Sequence, residues 1–342
     1  MTNIKKKKER DLFEYEEKME IIAQKVNYLE KLNKVINWEM FRDLLNRALA
    51  KKSKGPGGAS HYDYVFMFKI LVIQRFYGMS DEQTEYQIHD RLSFQKFLGI
   101  TLSDSVPDQN TIREFRENLT SSDAMKKLFR KFDRHLETME IVGTEGVIVD
   151  ATFVDVPKQR NSREDNDKLK KNEIPEAWKK NPHIARHKDM DARWTKKNDE
   201  THYGYKNHIK IGKISKIIRS CHTTPANVHD SQALDDLLQK RDSGQRLWGD
   251  SAYTGQTRIF SKFGVKPQIN EKGYRGHQLT KSQKERNRRK SKVRVLVEHV
   301  FGFMENSMGG MFLRTLGRER AETSNILNNL VYNFCRYAQI TA

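Results

Sequence analysis

An acidic residue stands in the middle of a nearly continuous apolar, β-branched stretch of the chain. Residues 146–157 read GVIVDATFVDVP, and Asp150 sits in the middle of a β-branched run that is expected to form a strand buried on both faces. Such a strand requires a sheet around it. A carboxylate within it is costly unless its charge is paired or bound to a metal, which makes Asp150 the first residue to explain. The competing explanation is a carboxylate at a sheet edge or one capping a neighbouring loop. Asp155, nearer the strand end, is the weaker candidate. HYGYKNHIKI, SKIIRSCHTTP, RLWGDSAY and GVKPQIN are further strand candidates, with amphipathic helices between and after them. The expectation is an α/β sheet domain over residues 141–342. Residues 158–200 are polar and net positive and lack strand signals, so they are expected to form a basic insertion between the first two strands.

The front of the chain has a different period. Leu12, Tyr15, Met19, Ile22, Val26, Leu29 and Ile36 recur in steps of three and four with Asn33 in the same seam, which predicts one long amphipathic helix over residues 1–36. Its stripe suits packing on its own domain or pairing with a second copy. Residues 37–140 stay helical in pattern, interrupted by KKSKGPGGASHYD, a linker without the Gly-Lys-Ser/Thr ending of a phosphate-binding loop. Ser80 is placed as an N-cap, and PDQNTIREFRENL starts a helix carrying Arg113 and Arg116. Short helices rich in Arg suit a DNA-binding unit, and spacing alone does not separate that from an ordinary bundle.

Two further carboxylates fit with Asp150. Asp250 lies in LWGDSAYTG where a short apolar strand meets a turn, at the carboxyl edge where open α/β sheets bind ligands. Turn chemistry alone also explains an Asp there. Val293, Leu296, Val297, Val300, Phe301 and Met304 mark the buried stripe of a helix, with Glu298 at its border and Arg294 one turn before it. Each acid alone is ambiguous. Strand Asp, strand-end Asp and helix-flank Glu together form the arrangement that holds two Mg²⁺ ions, with Mn²⁺ as a substitute, for phosphodiester chemistry.

The charge balance points the same way. Lys and Arg number 63 against 45 Asp and Glu, a formal +18, which favours a polyanionic partner. From Arg275 to Arg294 nine Lys or Arg residues face the single acid Glu285, so Arg286, Arg288, Arg289, Lys290 and Arg294 are candidate DNA contacts beside the carboxylates. No apolar run long enough to span a membrane occurs, and MTNIKKKKERD has no apolar segment behind it, so neither a span nor a signal peptide is expected. Cys221 and Cys335 lack zinc-site spacing and fit a reducing cytoplasm, with the protein on the nucleoid.

Those residues bring a family into view. FKILVIQRFYGMSDEQTEYQIHDRLSFQKFLGI with PDQNTIREFRENL, then GVIVDATFV, HYGYKNHI, TTPANVHDS, GDSAYTG and RVLVEHVFG in order, resemble DDE transposases of bacterial insertion sequences, specifically the insertion sequence five family. The resemblance implies an RNase H-like mixed-sheet catalytic domain behind an all-helical N-terminal DNA-binding domain. It implies Mg²⁺-dependent cleavage at terminal inverted repeats, transfer of 3′-hydroxyl ends to target DNA, and a homodimer or higher oligomer. Asp150, Asp250 and Glu298 take the catalytic and metal-binding positions, and Arg294 matches the family arginine. Lys206 and His208 are expected at the DNA, with Asn227, His229 and Asp230 near the site. Ser291 and Glu305 depart from the family pattern of Tyr before the arginine and a basic residue after the glutamate. The alternatives are an RNase H-like nuclease, or a domesticated DNA-binding protein without transposition activity.

Overall fold

The apolar run is a nine-residue strand, β1 (Val147–Asp155), and the rest of the sheet is assembled on its two edges. The computed structural model describes residues 16–18, 20–21, 28–50, 61–144, 146–171, 173–197 and 199–341. Among the described residues, the helices ahead of β1 include α1 (Tyr28–Val35), α2 (Arg42–Leu49), α3 (Tyr64–Tyr77), α4 (Asp81–Asp90), α5 (Leu92–Leu98), α6 (Gln109–Ser121) and α7 (Ala124–Thr138). Leu12, Tyr15, Met19, Ile22 and Val26 of the seam and most of the glycine linker lie outside the described residues. Leu29, Leu32 and Ile36 at the end of the seam are buried in the protomer's own core. Asn33 is also used internally: it donates to Phe97 O at 2.8 Å and accepts from Trp38 Nε1 at 2.8 Å.

After β1 come α8 (Arg163–Lys170), α9 (Glu176–Lys180), α10 (Pro182–Arg186) and β2 (Arg193–Lys197). The basic insertion thus contains three short helices and an edge strand, where the sequence showed no strand signal. β3 (Glu200–Gly212) runs antiparallel to β1, with Asp150 opposite Ile209, and β4 (Ile218–Pro225) runs antiparallel to β3 on its other edge. β2 pairs with the first residues of β3. On the far side of β1, β5 (Arg246–Gly249) is parallel to it, and β6 (Lys266–Ile269) is parallel to β5. The small helices α11 (Leu234–Leu237) and α12 (Thr257–Phe263) flank β5 in the chain, and α13 (Lys281–Ser307) and α14 (Arg318–Ile340) follow the sheet.

Alternation along β1 divides its side chains between two cores. Val147 and Val149 join Leu234, Leu247 and Tyr253 on one face. Ile148 and Val154 join Ile209, Val297, Val300 and the N-terminal helices on the other. Asp150 has the parity of Ile148 and therefore faces α13. The larger core is continuous from Leu29 to Ala338 and crosses the 140/141 boundary.

The last helix, α14, joins the two regions. Phe334 packs edge-on against Trp38, Phe41, Phe68 and Phe132 of the helical region. On the opposite side Asn325, Asn329 and Asn333, four residues apart, form a buried polar stripe against the sheet. Asn325 donates to Thr223 Oγ1, Asn329 exchanges hydrogen bonds with Asn207, and Asn333 receives Ile218 N–H while donating to Ile218 O, each bond between 2.8 and 3.1 Å. A buried amide side chain that completes the backbone bonding at a strand end leaves no polar group orphaned there.

Candidate active site

Asp150 and Asp250 meet at the carboxyl edge of the two parallel strands, because β1 and β5 are neighbours and Asp250 follows directly on β5. Each acid has one oxygen tied to backbone. Asp150 Oδ1 accepts from Ala151 N at 2.8 Å, and Asp250 Oδ1 accepts from Ala252 N at 2.9 Å as the cap of a short turn over Ser251–Tyr253. The turn chemistry expected of an Asp at that point is therefore present, and it leaves the second oxygen of each carboxylate uncommitted to backbone. Burial raises the Asp150 carboxyl to about 6. The Arg294 guanidinium and the Ala151 N–H pull it back down, while the neighbouring Asp250 charge pushes it up again.

Helix α13 is fixed over this edge by bonds to the end of β6. Asn287 receives Glu271 N–H at 2.9 Å and donates to Glu271 O at 2.9 Å, Asn270 donates to Ser291 Oγ at 3.1 Å, and Lys290 Nζ donates to Ile269 O at 2.7 Å. Ser291, one of the departures from the family pattern, is thus an anchoring group. The helix starts at a Thr280–Gln283 capping box. Arg294 follows Lys290 by one turn and points its Nη2 at Asp150 Oδ2, 3.5 Å away, while its buried Nε has no hydrogen-bond partner.

Glu298 stands one further turn along α13 and is exposed. Arg294, which the spacing offered as its partner, contacts Asp150 instead. Among the described residues no group of three or more His, Cys, Asp or Glu side chains converges closely enough to hold one ion. Asp150 and Asp250 act on each other across the shared edge, and Glu298 forms no three-acid group with them among the described residues. The two carboxylate oxygens free of backbone bonds are hard donors of the type a divalent cation takes, with the unpartnered Tyr253 hydroxyl buried nearby.

Several residues at the site gave no signal in the sequence. Tyr253 is fully buried, and burial together with Asp150, Asp230 and Asp250 drives its hydroxyl well above the ordinary phenol range. Lys197, the last residue of β2, is close enough to favour the charged form of Asp150. It lines a hollow with Ala151, Thr152, Asp155, His202 and Glu305, in which His202 stacks on Phe153 at 4.0 Å. Tyr253 sits three residues after Asp250, so the turn that presents the Asp also presents the phenol; the sequence held that spacing but no sign of the burial.

The remaining expected residues fall into three groups. Lys206 is paired with Asp230 at 2.7 Å and bonds Val228 O at 2.8 Å, and His208 is fully buried with Nε2 2.8 Å from Thr224 Oγ1. Arg116 makes a two-pronged pair with Asp81 at 2.7 and 2.8 Å, whereas Arg113 is exposed and bonds Asn110 at 3.0 Å. On α13, Arg286 pairs with Glu271 at 3.0 Å and Arg289 with Glu285 at 3.1 Å, while Arg288 is exposed.

The six-stranded sheet joins four antiparallel strands to two parallel ones on the far side of β1, with two acids at the edge that β1 and β5 share and a basic helix beside them. Comparison with known proteins identifies the family. The family model for the transposase DDE domain matches residues 142–334, and that for a transposase domain (DUF772) matches residues 17–118. The chain belongs to the DDE transposases, enzymes that cut and join DNA. Members of this family use divalent metal ions, and the sheet has the RNase H-like arrangement that the resemblance implied. Among solved structures, the cryo-EM structure of the piggyBac transposase synaptic complex with hairpin DNA is similar at 11% identity and a TM-score of 0.47, covering 93% of this chain and 76% of that chain. No helix among the described residues is long and apolar enough to cross a membrane.

Proposed function

We propose that this chain is the transposase of a bacterial insertion sequence of the insertion sequence five family, cutting at terminal inverted repeats and transferring the 3′-hydroxyl ends to target DNA. The observation that carries this reading is the convergence of Asp150 and Asp250 at one sheet edge beneath Arg294. The oxygens of the two aspartates that carry no backbone bond would hold the metal, and Glu298, on the same helix face as Arg294, would be the third ligand. Bound there, Mg²⁺, or Mn²⁺ in its place, supplies charge neutralisation for the attacking and leaving oxygens of the phosphodiester. Arg294, relieved of its role as counter-charge to Asp150, turns its unpartnered Nε toward a phosphate oxygen. Arg288, exposed three residues before Ser291, and the basic residues around it receive the flanking phosphates. Handling two DNA ends together calls for two or more protomers.

Purified protein with Mg²⁺ and supercoiled DNA carrying the element's terminal repeats should yield new 3′ ends at the repeat boundaries. Asp250→Ala should lower that yield by roughly a hundredfold or more while leaving repeat binding nearly unchanged. Equal cutting by the variant would remove the site assignment, and cutting away from the repeats would favour a nuclease without transposition.

A further inference from the structure

A second hollow, unconnected with the carboxylates in sequence, lies between the helical region and the loop that joins α13 to α14. Its volume is about 660 Å³, and its lining contains six arginines against the two acids Asp81 and Glu117. Half of those arginines hold the walls. Arg116 is paired with Asp81, Arg320 with Glu117, and Arg75 reaches Asn328 Oδ1 and Gly310 O. The other three, Arg113, Arg186 and Arg314, are exposed and make no ion pair among the described residues, although Arg113 lies near enough to Asp81 to help hold its carboxyl below the usual range.

The loop presenting Arg314 is rigidly held. Gly309 lies against Gly78 backbone to backbone, so that a Cβ on Gly309 would come within 2.8 Å of Gly78 Cα. Leu313 N donates to Asp155 O at 2.9 Å, and Gly317 N to Asp189 Oδ2 at 3.0 Å. Met311 and Leu313 are buried, and the residues between and after them, Phe312 and Arg314, point out. Phe312 is 50% exposed and is the one side chain that lines both the arginine hollow and the hollow over Ala151–Asp155 beside Asp150. A large apolar ring fixed on a pinned loop, with free cations on one side and the reaction site on the other, suits a nucleobase face flanked by phosphates.

We propose that this arginine hollow is the track for the DNA strand leading away from the reacting phosphodiester: Arg113, Arg186 and Arg314 take its phosphates, and Phe312 stacks an unpaired base at the entrance. The inference rests on the transposase reading for the position of the reacting bond. It differs from that reading in assigning a surface on the other side of Phe312 and a single-stranded substrate segment.

The test uses the full chain and two fluorescent probes, a twelve-nucleotide thymidine strand and a mixed-sequence duplex, titrated at several salt concentrations, with plasmid cutting in Mg²⁺ measured in parallel. Arg113→Gln combined with Arg314→Gln should reduce the log–log salt slope for the single strand by about 1.4, two phosphate contacts at ~0.7 each. Phe312→Ala should weaken single-strand binding by about tenfold with little change for the duplex, and Phe312→Trp should restore it. All three positions are exposed, so unchanged thermal melting should accompany the loss. Unaltered slope and affinity in these variants, in an enzyme that still cuts plasmid, would overturn the hollow and leave the catalytic reading standing. The expected binding losses in the variants, beside a wild type that binds but does not cut, would uphold the hollow and remove the catalytic reading.

Discussion

Asp150 shows at the level of one residue how a functional group opposes the fold that carries it. Its carboxyl is raised to about 6 against an ordinary 3.8, chiefly by burial. A carboxyl that holds its proton more tightly in the folded state makes stability fall as pH rises between the two values, here from about 4 to about 6. At neutral pH in EDTA, Asp150→Asn should therefore stabilise the protein by as much as ~3 kcal/mol, and its stability should be flat over that pH window where the wild type declines. Urea unfolding at both ends of the window measures this, and a variant no more stable than wild type at pH 7 would mean that Arg294 already compensates the charge. Mg²⁺ should then stabilise the wild type and not the variant. The sequence disclosed this residue because an acid inside an apolar strand has few explanations. It did not disclose that Arg294 would contact Asp150 rather than Glu298, since spacing along one helix says nothing about a strand 144 residues earlier.

At the level of elements, what was legible follows from burial. The five strands read from the sequence are all present, because each contributes side chains to one of the two cores. β2 was missed because it lies at the edge with mostly exposed side chains, Arg193–Lys197, and so carries no apolar alternation. The short helices of the insertion bury little beyond Leu169 and Trp178, too few apolar positions to set a period. The seam ending in Leu29, Leu32 and Ile36 was legible as amphipathic, and its described end packs within the protomer. The asparagine stripe of α14 has a sharper energetic consequence. Asn333→Ala would orphan both Ile218 N–H and Ile218 O in a buried setting, at about 1–3 kcal/mol each. Denaturant unfolding should show a loss of roughly 2–5 kcal/mol for Asn333→Ala, and a loss under 1 kcal/mol would mean that water reaches the strand end.

For the whole molecule, the division into residues 1–36, 37–140 and 141–342 is a reading of sequence pattern, and the physical core runs from Leu29 to Ala338 across both of its boundaries. Trp38, Phe41, Phe68 and Phe132 have Phe334 among them, and Arg75 and Asn328 tie α3 to α14. Residues 28–140 expressed alone should accordingly lack a cooperative thermal transition in circular dichroism, and a sharp transition would establish the helical region as an independent unit. Local periodicity identifies helices and strands but carries no information about which distant helix fills a core, and for that reason the partnership of α14 with the N-terminal helices was not legible.

That partnership also sets a schedule for the newly made chain. The helices around Trp38 and Phe68 emerge from the ribosome more than 260 residues before Phe334, the ring that packs among them. Until then their aromatic surface stays open, and any arginine-rich groove built on it stays incomplete. The first third of the protein therefore waits for α14, and its core and the groove built on it close only once that helix is available to pack.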